Sequence, residues 1–437
     1  MESAERNKIE FTLWGQVKTI LLGSWINLLL VAVPAGFACE YAHVEPVATF
    51  VVNFAAIVPL AGILAYATEE IALRVGETLG GLLNATFGNA VELIVSIIAL
   101  VDGEIIIVQS SLIGSMLSNL LLVLGLSFFL GGINREEQNF NVVVAQTSAS
   151  LLALCIGSLI VPTAFHLGSA PPGTEQNFDG VAEISRGSSI VMLLVYASYL
   201  IFQLKSHREI YNKPSEKTPK RSDMKRVETG EVSKGIARMG IGPGAAVAGS
   251  QYVDQSKVSV SGDDEDEQET PQISVWAAII TLVAATVLVA FCAEFLVGSV
   301  DAVTSGSGIS RTFLGLILLP IVGNAAEHAT AVTVAIKDKM DLSIGVAVGS
   351  SMQIALLVLP FTVILGWIIG EDRMTLYFDG FQIGVLFVAV LLVNYLIQDG
   401  KSHWLEGVLL VAMYIIIAIA AYFYPTIENT AVGGSTE

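Results

Sequence analysis

Long apolar runs follow one another along nearly the whole chain, and the polar residues are concentrated between them. A helix needs about 20 residues to cross a hydrocarbon core of roughly 30 Å, and most of the runs reach that length. They do not alternate between apolar and polar positions, as the strands of a membrane barrel do. The pattern therefore predicts an all-α polytopic membrane protein with eleven transmembrane helices, at 18–38, 47–73, 79–101, 105–131, 141–165, 187–204, 274–300, 311–335, 342–369, 378–397 and 404–424.

The composition supports this class. Of the 437 residues, 53% are hydrophobic and only 14% are charged, which is too apolar for an ordinary soluble protein. The three cysteines, Cys39, Cys155 and Cys292, are scattered and predict neither a disulfide framework nor a cysteine-based metal site. The sequence contains no phosphate-binding loop or other catalytic motif. We therefore expect no enzymatic activity, no bound cofactor and no nucleic-acid partner. The lipid membrane is the expected partner, and a homo-oligomer stays an open alternative.

The basic residues indicate how the chain is oriented. With the N-terminus placed in the cytosol, 19 of the 22 Lys and Arg residues fall in cytosolic segments, and only Arg186, Arg311 and Arg373 lie on the opposite side. Cytosolic loops of membrane proteins carry an excess of Lys and Arg, so the count favours this orientation. Eleven helices then place the C-terminus in an organelle lumen or outside the cell.

One long polar segment, 205–272, divides the apolar runs into two groups. It is rich in Ser, Gly, Pro and charged residues, a composition typical of disorder. Near its end, Asp263–Glu269 holds much of the net charge of −18. The plain interpretation is a solvated linker between two halves. The alternative is a segment that concentrates cations or regulates the membrane part.

The two groups of runs contain a repeat. The segments Gly88–Glu92 (Gly-Asn-Ala-Val-Glu) and Gly323–Glu327 (Gly-Asn-Ala-Ala-Glu) lie 235 positions apart, and the same offset places Gly114 over Gly349. Five predicted helices separate the members of each pair. Because five is odd, equivalent helices cross the membrane in opposite directions, which is the inverted-repeat plan of many secondary transporters. The predicted organisation is a cytosolic N-terminus (1–17), an extra first helix (18–38), a first five-helix repeat (47–204), an acidic, low-complexity cytosolic linker (205–272), a second five-helix repeat (273–424) and a lumenal tail (425–437).

Each repeat segment contains a glutamate within an apolar run, where a charge is costly and usually functional. On a helix, Asn89, Glu92 and Ser96 would share one face, as would Asn324 and Glu327. Carboxylate, amide and hydroxyl oxygens are the ligands that a hard cation such as Ca²⁺ prefers. Two facing carboxylates repel each other, so the pair needs either a dication or protons. We therefore predict a site near the membrane midplane that alternates between Ca²⁺ and H⁺.

Other polar residues in the runs are further candidates. Ser115, Ser350 and Gln353 lie in the equivalent helices four and nine, and Asn119 is a similar candidate in the first half only. For each of them the alternative is a hydrogen bond between helices. The predicted metal ligands are Glu92, Glu327, Asn89, Asn324, Ser115, Ser350 and Gln353.

Glu69 and Glu294 are candidate relay groups for protons or cations at the mouths of the cavity, the alternative being interfacial residues in water. His328 follows Glu327 directly and points away from it by about 100° on a helix, so we expect it to pack or tune rather than to bind. The predicted proton or cation pathway comprises Glu92, Glu327, Glu69 and Glu294.

The paired Gly-Asn-Ala-x-Glu segments resemble the two signature repeats of the calcium/proton exchangers, within the calcium/cation antiporter superfamily, and look most like the vacuolar exchangers of fungi and plants. Their flanks agree, since Gly80–Phe87 leads into the first segment and Leu319–Val322 into the second. The resemblance extends over predicted helices two to eleven. It implies two inverted five-helix repeats after an extra first helix. It also implies movement of calcium from cytosol to vacuole in exchange for lumenal protons, with Glu92 and Glu327 binding both ions.

The sodium/calcium exchangers of the same superfamily resemble this chain in plan, but their repeats typically read Gly-Thr-Ser-x-Pro-Glu. Here Asn and Ala take the Thr-Ser places, and neither repeat has a proline before its glutamate. This difference favours protons over sodium as the counter-ion.

The leading hypothesis is therefore a Ca²⁺/H⁺ antiporter that exports cytosolic calcium into an acidic organelle, the vacuole, by alternating access. Exchange of Mn²⁺ for protons and coupling to Na⁺ stay open as alternatives. A calcium-permeable channel with a paired-glutamate filter is a rival from another class. So is a scaffold or receptor whose 205–272 segment binds partners.

Overall fold

The apolar runs fold into helices, as the sequence pattern predicts. The computed structural model describes residues 12–75, 77–169, 178–211, 215, 217–218 and 271–424. The contacts along the chain separate 219–270 from the remainder, and every described residue belongs to that remainder. The acidic stretch Asp263–Glu269 and the tail from 425 onward lie outside the described residues.

The helices are numbered in chain order. Those before the linker are α1 (Leu13–Leu22), α2 (Ala32–Tyr41, preceded by a 3₁₀ segment, Trp25–Val31), α3 (Pro46–Val75), α4 (Glu77–Phe87), α5 (Ala90–Val101), α6 (Ile105–Leu117), α7 (Leu124–Gly132), α8 (Val142–Ser169), α9 (Phe178–Ile201) and α10 (Arg208–Tyr211). Those after it are α11 (Val275–Gly298), α12 (Val300–Ser307), α13 (Arg311–Phe313), α14 (Leu319–Gly323), α15 (Ala325–Ile336), α16 (Met340–Gln353), α17 (Leu359–Ile369), α18 (Gly380–Leu396) and α19 (Trp404–Tyr422).

Seven helices of the described chain are long and apolar enough to cross a membrane, and two bent pairs raise the number to nine if each pair is one span. The bent pairs are Leu13–Leu22 with Trp25–Tyr41, at 93°, and Arg311–Gly323 with Ala325–Ile336, at 57°. Two shorter apolar helices, α5 and α18, add to these. The membrane class is thus confirmed, whereas eleven crossings and inverted halves stay predictions.

Three predicted helices are interrupted, and the eighth of them, 311–335, is divided at Asn324 between α14 and α15. The first, 18–38, is instead broken between α1 and the 3₁₀ segment, because Ser24 is extended and its side chain accepts a hydrogen bond from the backbone N–H of Ile26. The third, 79–101, is divided into α4 and α5 at Gly88-Asn89. Hydropathy alone does not show these breaks, since the residues on both sides are apolar.

Each half also contains a π-helical turn at the same place in the repeat. Ser118–Val123 joins α6 to α7, and Ile354–Val358 joins α16 to α17. The offset of 235 maps 118–123 onto 353–358, so the two turns coincide within one residue. Such turns insert a residue into a helix and are frequent at functional sites. Two further π-helical turns follow, namely Phe202–Ser206 after α9 and Leu314–Leu318, which joins α13 to α14.

Helices of the first half pack directly against helices of the second half, and α6 is central to this contact. In the centre of α6, Leu112, Ile113 and Leu117 are almost fully buried. Gly114 on the same helix allows the π-helical turn before α14 to approach closely. A Cβ atom there would lie 2.6 Å from Cγ of Pro320.

A small sheet joins two loops on one face. β1 (Gln138–Asn139) and β2 (Lys401–Ser402) are antiparallel, with Gln138 opposite Ser402. The Lys401 ammonium pairs with the Glu137 carboxylate at 2.6 Å in the same loops. This sheet holds the connection between α7 and α8 against that between α18 and α19.

Candidate ion-binding site

Two helix breaks place the repeat glutamates. Asn89 stands between α4 and α5 with φ −104° and ψ 26°, and Asn324 stands between α14 and α15 with φ −90° and ψ 7°. Neither conformation continues a helix, so α5 and α15 begin at the next residue. Glu92 and Glu327 therefore lie in the first turn of a helix, where the helix dipole favours a negative charge.

The break corrects one expectation from the sequence. Asn89 is not part of one continuous helix face with Glu92 and Ser96, because it precedes the first residue of α5. Its side chain is directed instead to the opposite half. The two asparagines thus lie just before α5 and α15, and the two glutamates lie within those helices.

Asn89 is held by two residues of the second half. The hydroxyl of Ser350 donates to Oδ1 of Asn89 at 2.9 Å. Nδ2 of Asn89 donates to Oε1 of Gln353 at 2.6 Å. Nδ2 of Asn119, from the first half, donates to the Ser350 hydroxyl at 3.0 Å. Four predicted candidates from both halves therefore share one hydrogen-bond network.

The second half contributes the mirror-related contact. Nδ2 of Asn324 donates to the backbone carbonyl of Ser115 at 3.5 Å. Asn324 and Ser115 are the repeat equivalents of Asn89 and Ser350, so each asparagine contacts the serine segment of the other half. Oδ1 of Asn324 is buried and has no hydrogen-bond partner among the described residues.

The two carboxylates lie in the same cluster. Oε1 of Glu92 lies close to Gly323, where an added Cβ atom would be 3.2 Å away. The Glu327 carboxylate interacts with Ser350 and Asn119 and lies near enough to Glu92 for their charges to interact. Oε2 of Glu327 is buried without a hydrogen-bond partner in the described part of the chain. Such an oxygen is available to a cation or a proton.

A small cavity of about 30 Å³ borders Glu92, with room for roughly one or two water molecules. It is lined by Val95 and Ser111 of the first half and by Leu319 and Pro320 of the second. These residues lie on the side of the site that faces the 102–104 turn. The structure thus leaves space beside Glu92 on that side.

Among the described residues, no basic partner neutralises the pair. Within the described ranges, neither Glu92 nor Glu327 forms an ion pair with Lys, Arg or His. In the same ranges, no group of three or more His, Cys, Asp or Glu side chains is placed to hold a metal ion. A cation at this place would therefore use two carboxylates together with amide, hydroxyl and carbonyl oxygens, a donor set that suits Ca²⁺.

His328 contacts the first half rather than the carboxylates. Its Nε2 lies 3.1 Å from the hydroxyl of Ser118. Ser118 was not among the predicted candidates, although the offset of 235 maps it onto Gln353. That equivalence is the signal by which it could have been found.

The two proposed relay groups lie elsewhere. Glu69 on α3 and Glu294 on α11 are both exposed, whereas the cluster around Glu92 is buried. The neighbouring Glu70 is buried instead, and it accepts hydrogen bonds from the backbone N–H groups of Gln272 and Ile273. A relay role for Glu69 and Glu294 stays a prediction.

Comparison with protein families matches residues 45–205 and 277–423 to the model described as sodium/calcium exchanger protein. The chain belongs to this family. Each matched part of the exchanger contains one glutamate of the cluster, Glu92 in the first and Glu327 in the second.

Relatives of this exchanger agree with the resemblance stated from the sequence. A vacuolar calcium ion transporter of Schizosaccharomyces pombe is 42% identical over 94% of this chain and 88% of its own length. A Ca²⁺/H⁺ antiporter of Aphanothece halophytica is 40% identical over 92% of this chain and 97% of its own. The solved structure of native YfkE is 33% identical, with a TM-score of 0.70, and covers 91% of this chain and 100% of its own. The resemblance to the calcium/proton exchangers is confirmed.

Proposed function

We propose that this exchanger is a Ca²⁺/H⁺ antiporter that moves calcium from the cytosol into an acidic organelle by alternating access. The observation that carries the proposal is the pair of glutamates from two helix breaks, one in each half, in a single cluster where Glu92 is buried and neither glutamate has a basic partner among the described residues. The names of relatives as vacuolar calcium transporters and Ca²⁺/H⁺ antiporters support the same function.

The exchange follows from charge. Two carboxylates in a medium of low dielectric constant repel each other far more than they do in water. One Ca²⁺ ion removes this repulsion, and so do protons on the carboxylates. The site is therefore stable when loaded with either ion and costly when empty. Because an empty site hinders the change of access, calcium moves one way only when protons move the other.

The roles of the individual residues follow from their contacts. Glu92 and Glu327 bind Ca²⁺ or protons. Asn89 and Asn324 supply amide oxygens at the helix breaks, and the remaining predicted ligands position them or complete the coordination, namely Ser115, Ser350 and Gln353.

The inverted arrangement of the halves is part of the proposal. The hydroxyl of Ser351 donates to the backbone carbonyl of Met116 at 3.3 Å, and these positions are 235 apart. Contact between equivalent residues is expected close to an axis that relates two halves. Together with the mirrored contacts of Asn89 and Asn324, it supports eleven crossings built as one extra helix and two inverted five-helix repeats.

Orientation and compartment complete the proposal. The distribution of Lys and Arg favours a cytosolic N-terminus, a cytosolic linker and a lumenal C-terminus. The vacuolar membrane is the proposed location, since relatives from yeasts and plants are named vacuolar.

The test is uptake of radiolabelled Ca²⁺ into proteoliposomes driven by a pH gradient. Glu92→Gln and Glu327→Gln should each reduce the initial rate by about 100-fold or more, since loss of one charged partner from a buried cluster costs several kcal/mol. Glu183→Gln is the matched control, because it removes an exposed carboxylate from α9 and should leave uptake unchanged.

Three further arms separate the alternatives. Uptake that needs an imposed Na⁺ gradient would contradict proton coupling, and a preference for Mn²⁺ over Ca²⁺ in competition would change the substrate. Uptake that tracks voltage alone would indicate a channel. Proton release on Ca²⁺ binding to the purified protein, measured between about pH 5 and 8, tests the competition directly.

A further inference from the structure

Two aspartates follow the helix that carries Glu327, and each divides its carboxylate between two parts of the chain. Oδ1 of Asp338 accepts from Nε2 of Gln138 at 2.8 Å and lies 3.4 Å from Nε of Arg135, both in the first half. Oδ2 of Asp338 accepts from the backbone N–H of Thr218, at the start of the linker, at 2.6 Å.

Asp341 repeats the pattern. Its Oδ1 accepts from the backbone N–H of Asn141, in the first half, at 2.6 Å. Its Oδ2 accepts from the backbone N–H of Ser215, in the linker, at 2.9 Å. Asp338 and Asp341 thus each bind the first half through one carboxylate oxygen and the linker through the other.

Arg135 joins the same three segments from the first half. Its guanidinium is buried and donates to the backbone carbonyls of Gly131 at 3.1 Å, Ile336 at 3.3 Å and Thr218 at 3.2 Å. Gly131 and Ile336 lie at the C-terminal ends of α7 and α15, where a positive charge is favourable. We call Arg135, Asp338 and Asp341, with the linker residues Ser215 and Thr218, the linker clamp.

The clamp lies on the face of the molecule opposite to the cavity beside Glu92. Ile336 is nine residues after Glu327 on α15, which corresponds to roughly 14 Å along the helix. The cavity residues Val95 and Ser111 lie beyond the site in the other direction, toward the 102–104 turn. The structure therefore has a small cavity on the side of that turn, and Arg135 connects the ends of α7 and α15 by hydrogen bonds on the linker side.

We infer that the linker clamp stabilises the state that is closed on the linker face, so that Asp338 and Asp341 are positioning residues of the exchange cycle. Ions can reach the glutamates from that face only when the ends of α7 and α15 separate. Separation breaks the contacts of Arg135 with Ile336 and those of both aspartates. The linker adds two backbone hydrogen bonds, from Ser215 and Thr218, to this closed state. These residues therefore oppose opening on the linker face. The inference rests on the proposed antiport.

The test removes the linker's contribution without changing the binding site. Ser215→Pro and Thr218→Pro eliminate the N–H groups that the two aspartates accept. Ser215→Ala and Thr218→Ser keep those groups and are the matched controls, and Thr218→Ser also keeps the hydroxyl that accepts from Nδ2 of Asn139 at 3.4 Å. Asp341→Asn, which weakens the clamp from the second half, is an additional variant whose linker is unchanged.

In oriented proteoliposomes, the concentration of Ca²⁺ on the linker face that gives half-maximal uptake should fall about five-fold in each proline variant and in Asp341→Asn. This is the change expected from the loss of one hydrogen bond that favours the closed state. The two control variants should match the unmodified protein. Equal half-maximal concentrations in all variants, or a rise in the proline variants, would overturn the inference while antiport itself stands.

A second measurement does not depend on transport. Amide hydrogen exchange of the purified protein should be faster at Asn141 and Ser215 in Asp341→Asn than in the unmodified protein. Unchanged exchange there would show that the clamp does not form, even if uptake is normal. Conversely, faster exchange in a protein without proton-driven uptake would contradict the proposed function and leave the clamp in place.

Discussion

Gly114 in the first half and Gly349 in the second are equivalent in the repeat, yet only Gly114 is closely approached by a neighbouring helix. A Cβ atom on Gly114 would lie 2.6 Å from Pro320 Cγ, whereas one on Gly349 would meet no described atom within 4 Å. The glutamates differ in the same way. Glu92 borders a cavity, and Glu327 is packed among Ser350 and Asn119.

This comparison separates what a repeat preserves from what it does not. The backbone devices are common to both halves, namely an asparagine at a helix break, a glutamate in the next turn and a π-helical turn one helix later. The surroundings of those devices differ. A site that opens to one side at a time needs this inequality, since identical surroundings would open both sides together.

The largest effect is expected from an added methyl group at the two glycines. Gly114→Ala should destabilise the protein by about 2 kcal/mol or more, because the backbone carbonyl of Leu316 and the ring of Pro320 cannot both move away. Gly349→Ala should be neutral or stabilise by about 0.5 kcal/mol, because alanine is the better helix former. Thermal unfolding in detergent measures both. Similar losses in the two variants would show that the halves pack alike.

A smaller effect is expected from the two serines. Ser350→Ala removes the donor to Asn89 and the acceptor for Asn119, leaving two buried polar atoms unsatisfied. It should raise the half-maximal Ca²⁺ concentration for uptake about ten-fold. Ser115→Ala keeps the backbone carbonyl that Asn324 contacts, so its effect should be about three-fold or less. Reversal of this order would assign the more important serine to the first half.

The smallest effect concerns the loops that follow the fourth and ninth predicted helices. The first half buries Arg135 in this loop, whereas the second half exposes the pair of Arg373 and Glu371. Hydrogen bonds from Arg373, at 2.7 and 2.8 Å, lower the pKa of the Glu371 carboxyl below its ordinary value of 4.5. A lowered pKa means that the pair stabilises the fold above pH 4.5 and that this contribution is lost as the pH falls through the lower value.

Glu371→Gln should therefore reduce stability by only about 0.3 kcal/mol at neutral pH, since the pair is largely exposed. The difference from the unmodified protein should shrink when the pH is lowered from neutral to well below 4.5. Unfolding at both pH values measures it. A difference that grows in acid would contradict the sign of the pKa shift.

Much of the fold follows from the sequence because apolar runs of membrane length leave few alternatives to helices. The start of the sixth predicted helix was misplaced, however. That helix begins at Phe178 rather than 187, since its first turns carry polar residues such as Glu183 and Arg186. Hydropathy detects the apolar part of a helix and not its polar extension.

The residues of the site that occur in both halves of the repeat could be predicted from the sequence. The offset of 235 identified Glu92, Glu327 and both asparagines, and the structure brings their segments together. Glu70 and Asp338 were not predicted, because each accepts hydrogen bonds from linker residues, and contacts across 120 or more positions leave no pattern in one sequence. The relay assignment of Glu69 depended on a different offset, and Glu69 lies on an exposed surface beside the buried Glu70.

The π-helical turns at 118–123 and 354–358 determine which residues face the site before and after each turn. Each contains one residue more than an α-helix needs, so the segments before and after it are rotated by about 100° relative to a continuous helix. Ser115 and Ser350 precede the turns and belong to the cluster, and the leucines within the turns, such as Leu121 and Leu356, are fully buried. Removing one residue from either turn would keep the segment helical. It would rotate the part of the helix after the turn, so that different residues would face the neighbouring helices.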